Sequence, residues 1–129
     1  MARKKLLIVD DEPDAAIILA KNLKARGYEV YTASNGLDAI AMAKTNGPDL
    51  IILDILMPGM DGTEIAAELQ EEESTRDIPI IFLTCLVTKK TEQIGSKYHD
   101  VDKRAFIAKP YDLDKLLLEI DRLIGARER

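Results

Sequence analysis

Residues 50–62 read LIILDILMPGMDG. Leu50, Ile51, Ile52 and Leu53 offer no polar alternate position, so a strand made from them must be covered on both faces. A parallel sheet between two layers of helices provides that cover. The aliphatic run stops at Asp54. Beyond it, Met57, Pro58, Gly59, Met60, Asp61 and Gly62 fit neither a strand period nor a helical one, so a loop is expected. Pro58 restricts the backbone there, whereas Gly59 and Gly62 permit turns that other residues resist.

The same grammar extends outward in both directions. Residues 6–9 (LLIV) form an aliphatic run that ends in Asp10 and Asp11. Residues 78–83 (IPIIFL) end in Thr84, and residues 105–108 (AFIA) lead into Lys109 and Pro110. Residues 28–32 (YEVYT) alternate and read as an edge strand with one wetter face. Between these runs, residues 14–26 carry Ala16, Leu19, Ala20 and Leu23 at helical spacing, with Gly27 placed to end the helix. Residues 36–44 form a second amphipathic stretch, closed by Asn46, Gly47 and Pro48, and a third runs from Thr63 into the Glu71, Glu72, Glu73 cluster, read as a solvated helix end. Residues 88–99 are polar, with a weak apolar face and Gly95 inside, and predict a poor helix. The last helix starts at Asp112, an N-cap, and presents Leu113, Leu116, Leu117, Ile120, Leu123 and Ile124. Five strands alternating with five helices define an α/β fold with a parallel central sheet. The 129 residues suit one domain, 1–129, with a core over about 4–124 and a frayed tail from Gly125 onward.

Composition narrows the function. With 18 basic and 23 acidic residues the net charge is −5, which excludes non-specific nucleic-acid binding through clustered Lys and Arg. Any DNA-binding output would have to lie elsewhere. The single cysteine, Cys85, cannot form an intrachain disulfide and fits a reducing cytoplasm. The opening MARKKLLIVDDE has too short an apolar run for a signal peptide or a membrane span. A cytoplasmic protein without membrane contact is expected.

Chemistry gathers at the strand ends: Asp10 and Asp11 after the first, Asp54 after the third, Thr84 after the fourth and Lys109 after the fifth. In open parallel α/β sheets the ligand site lies outside these carboxyl ends. Three carboxylates in one cleft repel each other unless a cation sits among them. Oxygen-only ligation suits Mg²⁺, and the histidine and cysteine ligands that favour zinc are missing from the set. A carboxylate beside Mg²⁺ and a lysine is equipped to attack phosphorus and form an acyl phosphate. The metal and Lys109 offset charge on the phosphoryl oxygens, and Thr84 can hydrogen-bond one of them. Singly, each residue has a plain alternative. Asp10 and Asp11 can cap a helix or face water, Asp54 and Thr84 can be ordinary strand-end residues, and Lys109 can be a surface lysine before a turn. Their recurrence at successive buried strands is what favours a site.

These motifs resemble the receiver domains of two-component response regulators, the CheY-like family, from LLIVDDE through DILMPGMDG and IPIIFLT to FIAKP. The resemblance implies a flavodoxin-like (βα)5 three-layer sandwich with strand order 2-1-3-4-5. It implies that Asp54 is the phosphoacceptor and that Asp11, Asp54 and the backbone carbonyl of Leu56 ligate Mg²⁺, with Asp10 acting through water. Pro58, Gly59 and Gly62 would hold that carbonyl toward the metal. Thr84 becomes the switch hydroxyl, Phe106 the switch aromatic and Lys109 the phosphate-binding ammonium; a half-buried strand residue is an equally good reading of Phe106. The implied donor is a phosphohistidine on a sensor histidine kinase or a histidine phosphotransfer protein. The implied output is altered binding of a downstream effector, or a phosphorylation-dependent homodimer, through the face of the fourth helix, fifth strand and fifth helix. The chain would catalyse only its own phosphorylation and dephosphorylation.

Departures from the family pattern fall between Thr84 and Phe106, a stretch slightly longer than usual in which Asp102, Lys103 and Arg104 replace a small pair. Leu56 and Leu86 occupy positions that influence phosphate lifetime, and neither can orient an attacking water, so slow self-dephosphorylation is expected. His99 reads as a surface residue and Cys85 as a small core-edge residue. Three other classes compete. A haloacid-dehalogenase-type phosphatase needs aspartates two apart after the first strand, where this chain has Asp10, Asp11, Glu12. A flavodoxin-like cofactor binder needs a phosphate cradle where this chain has an acidic loop. A phosphorylation-independent binding module would not need the complete set of site residues.

Overall fold

The structure is a computed structural model that describes residues 3–55, 57, 59, 61–84, 104–109 and 111–127. Its elements are β1 (Lys5–Val9), α1 (Pro13–Ala25), β2 (Glu29–Ala33), α2 (Gly36–Asn46), β3 (Leu50–Asp54), α3 (Gly62–Glu71), β4 (Ile80–Thr84), β5 (Arg104–Ala108) and the C-terminal helix α4 (Leu113–Arg127). The five strands form one sheet in the order β2-β1-β3-β4-β5, every neighbouring pair parallel. The flavodoxin-like order expected from the family is the one observed.

Alternation along the central strands divides the core in two. Leu7, Val9, Ile51, Leu53 and Phe82 face one way and pack with Ala39 and Ala43 of α2 and Ile65 and Leu69 of α3. Leu6, Ile8, Leu50, Ile52, Ile81 and Leu83 face the other way, against Leu19 and Leu23 of α1 and Leu116 and Ile120 of α4. The uninterrupted aliphatic runs are therefore a consequence of cover on both faces. Pro13 opens α1, where its missing N–H costs no hydrogen bond. Asn35 caps α2 by accepting from the Asp38 N–H at 2.8 Å, and Gly47 ends that helix in the left-handed region at φ 56°.

Two boundaries differ from expectation. The fourth strand starts at Ile80, not Ile78. Pro79 has no N–H to give the ladder, and the Ile78 N–H donates instead to the Thr75 carbonyl at 3.1 Å, closing the turn after α3. The C-terminal helix runs past Ile124, which is buried, to Arg127. The helix expected over residues 88–99 lies outside the described residues, as do Cys85, Leu86, His99, Asp102 and Lys103.

Candidate functional site

Parallel register brings the acids together. Val9 pairs with Leu53, so Asp10, one residue past β1, comes level with Asp54, the last residue of β3. Both are only 6% exposed, whereas Asp11 is partly open to solvent. One carboxylate oxygen from each of Asp10, Asp11 and Asp54 lies within 4.8 Å of the others. The turn into α1 fixes Asp10, whose Oδ1 accepts the Glu12 N–H at 3.0 Å.

The counter-charge arrives from the sheet edge. Thr84 pairs with Ala108, which delivers Lys109 to the same end of the sheet. Lys109 Nζ donates to Asp54 Oδ2 at 3.1 Å and stands 3.7 Å from Asp10 Oδ2. Three carboxylates against one ammonium leave the cluster strongly anionic, with oxygen donors only. A small hard divalent cation such as Mg²⁺ fits that donor set and softer metals do not.

The segment after Asp54 is pinned at both ends. The Ile55 N–H donates to the Leu83 carbonyl at 3.0 Å, and the Ile55 carbonyl accepts from the Gly62 N–H at 3.1 Å. Asp61 caps α3 through Oδ1, which accepts the N–H groups of Thr63 at 2.9 Å and Glu64 at 3.0 Å. Gly59 has φ 79°, a left-handed turn that favours glycine. Gly62 has no positive φ; its reason is space. A Cβ there would stand 2.5 Å from the Asp54 carbonyl oxygen and 2.9 Å from the Ile55 Cα. Leu56 and Pro58 lie outside the described residues, so the Leu56 carbonyl stays an expectation.

Thr84 closes β4 beside β5, and its side chain lies outside the described residues. Phe106 stacks on Phe82 with ring centroids 4.9 Å apart and planes at 16°, and it remains 38% exposed. Asp10, Asp11, Asp54 and Lys109 are thus brought together, and Phe106 lies on β5, the strand that leads into Lys109. Sequence reasoning missed two residues. The Asp61 cap was signalled by Asp61 followed three residues later by Glu64, a capping pattern. Tyr111 carried no local signal: it sits half-buried beside Lys109, its phenol pushed above its usual pKa by burial, against the lowering effect of Lys109 and aided by Asp10.

The family model of the response regulator receiver domain matches residues 6–121. The chain belongs to that family. It is therefore a receiver domain of two-component signalling, and the phosphatase alternative is not favoured. The receiver is 34% identical over 127 residues to the DNA-binding dual master transcriptional regulator RpaA of Synechocystis, covering 97% of this chain and 51% of that regulator, so it spans about half the length of this relative. Against Protein PilH of Pseudomonas aeruginosa it is 32% identical over 121 residues, covering 94% of this chain and 98% of PilH. The signal receiver domain of a signal transduction histidine kinase from Syntrophus aciditrophicus has 34% identity and a TM-score of 0.84, covering 98% of this chain and 93% of that one. Among the described residues no helix is long and apolar enough to cross a membrane.

Proposed function

We propose that Asp54 accepts a phosphoryl group from a phosphohistidine on a sensor histidine kinase or phosphotransfer protein. The observation that carries this reading is the Lys109 ammonium, 3.1 Å from Asp54 Oδ2 within a cluster of three carboxylates. Asp10, Asp11, Asp54 and the Leu56 carbonyl would hold Mg²⁺, which supplies charge stabilisation for the transferring phosphoryl oxygens. Asp54 attacks phosphorus, the bond from phosphorus to the donor nitrogen breaks, and that nitrogen keeps the electron pair. Lys109 moves from the carboxylate to a phosphoryl oxygen, and the Thr84 hydroxyl donates to another.

The output follows from the added charge. Thr84 is drawn toward the phosphoryl group, Phe106 leaves its exposed position, and the face of the 88–99 segment, β5 and α4 changes its affinity for an effector or a second copy. On this reading 1–129 is one receiver domain, works in the cytoplasm and catalyses only its own phosphorylation and dephosphorylation. Ile17 and Ile18 on α1, 51% and 61% exposed, provide apolar contact area for the donor protein next to the site.

The test is phosphorylation with a small phosphodonor and Mg²⁺, followed by intact mass. The native chain should gain one acid-stable, base-labile phosphoryl group, and Asp54→Asn should gain none. Equal labelling of the variant would refute Asp54 as the acceptor.

A further inference from the structure

Strand register lines up one row of residues directly beneath the acid cluster. Val9, which precedes Asp10, is opposite Leu53, which precedes Asp54. Leu53 is opposite Phe82 on β4, and Phe82 is opposite Phe106 on β5. Val9, Leu53 and Phe82 are at most 1% exposed and belong to one core cluster with Ile65 and Leu69 of α3. Phe106 ends the row on the solvent side, lying flat on the Phe82 ring.

The two rings are not equivalent. Phe82 is walled in by the core, whereas Phe106 has solvent on part of its surface. Close packing leaves such a wall no slack, so Phe82 cannot follow a moving neighbour. A Phe106 that leaves its position therefore gives up the stacked contact and uncovers Phe82. Stacked aromatic pairs contribute enough, beyond the area they bury, to bias an equilibrium by about two- to tenfold. An aliphatic side chain at position 82 would offer Phe106 some area without that preference for a flat stack.

We propose that Phe82 is a positioning residue for the switch. Its ring holds Phe106 in the exposed position and sets how rarely the unphosphorylated chain adopts the switched arrangement. This rests on Asp54 being the phosphoacceptor and on Phe106 leaving its exposed position in response. The phosphoryl group then works against the stack. The strength of the stack accordingly limits the apparent affinity of any ligand that favours the switched arrangement. Removing the ring at position 82 eases the switch without touching an acid or Lys109.

The experiment uses beryllofluoride, a tetrahedral anion that adds to a carboxylate as a phosphoryl group does. It is titrated by calorimetry, in saturating Mg²⁺, into the native chain, Phe82→Leu, Phe106→Leu and the double variant. Phe82→Leu should bind beryllofluoride about two- to tenfold more tightly than the native chain and Mg²⁺ alone equally tightly. In the Phe106→Leu background the same change should be silent, because no ring remains to be held. Phe82→Met, which keeps more of the volume, carries the test if Phe82→Leu does not fold. No gain in either Phe82 variant, with the native chain still binding beryllofluoride, overturns this inference alone. An equal gain in both backgrounds, or an equal gain for Mg²⁺ alone, overturns it too, because a loosened core and not the stack would then be responsible. A native chain that binds Mg²⁺ but no beryllofluoride overturns the phosphoacceptor reading and this inference with it.

Discussion

Gly62 and Asp54 are packed backbone to backbone: a Cβ on Gly62 would come within 2.5 Å of the Asp54 carbonyl oxygen. The first turn of α3 thereby rests on the strand end that carries the proposed phosphoacceptor. Gly62→Ala must push α3 and the residues 54–55 apart, an overpacking that costs about 1–3 kcal/mol. Urea unfolding should show the loss, and Mg²⁺ titration of the variant should show weaker binding. A variant as stable as the native chain would mean that the contact yields without effect.

Lys109 holds two buried carboxylates at once, so its removal leaves Asp10 and Asp54 facing each other. Lys109→Met keeps the apolar stem and deletes the charge. Metal-free stability should fall by about 1–3 kcal/mol, the cost of leaving buried polar groups without their partner. Mg²⁺ should restore it, up to about 2.7 kcal/mol at a hundred times its dissociation constant. Thermal melts with and without Mg²⁺ decide the matter. A variant whose melting is no more sensitive to Mg²⁺ than the native chain counts against a shared cation site.

Tyr28 donates to Asp121 Oδ1 at 2.9 Å and ties the start of β2 to α4. Burial, that hydrogen bond and the Asp121 charge push the Tyr28 pKa from 10.0 to about 12. The folded state therefore holds a proton that the unfolded chain releases first. The stability gained is complete below pH 10.0 and is lost as pH climbs toward about 12. Denaturant unfolding between neutral pH and the top of that window should show a decline that Tyr28→Phe reduces. An identical decline in the variant would assign the effect to other groups.

Leu56 and Leu86 provide no group to orient a water against an acyl phosphate. After the donor is removed in Mg²⁺ buffer, phosphorylated chain should persist for minutes or longer. Decay within seconds, followed by mass or by mobility shift, would rule out slow self-dephosphorylation.

The sheet was legible because its chemistry is local. Leu6 to Val9 and Leu50 to Leu53 have no polar alternate, and only a strand covered on both sides uses such runs. The acidic cluster was legible because each member sits at a strand end, and parallel register does the rest. What escaped depended on approach across the fold. Gly62 looked like a turn glycine, yet what it supplies is an absent side chain beside Asp54. Thr75 has no apolar pattern around it, yet it is 2% exposed and its hydroxyl donates to the Leu69 carbonyl at 2.6 Å, sealing the end of α3. Tyr111 comes beside α1, nearly a hundred residues earlier in the chain, only through the fold. The family's strand order came from resemblance, since no local pattern specifies which strand lies beside which.

That order sets the mechanical character of the proposed switch. Among the described residues β1 and β3 have a hydrogen-bonded neighbour on each side, whereas β5 has one on a single side. The acids thus stand on the stiffest strands, and the lysine and Phe106 on a border strand with half the lateral restraint. Displacement driven by a new charge at Asp54 relaxes toward that border, so the fold itself gives the signal a direction of travel.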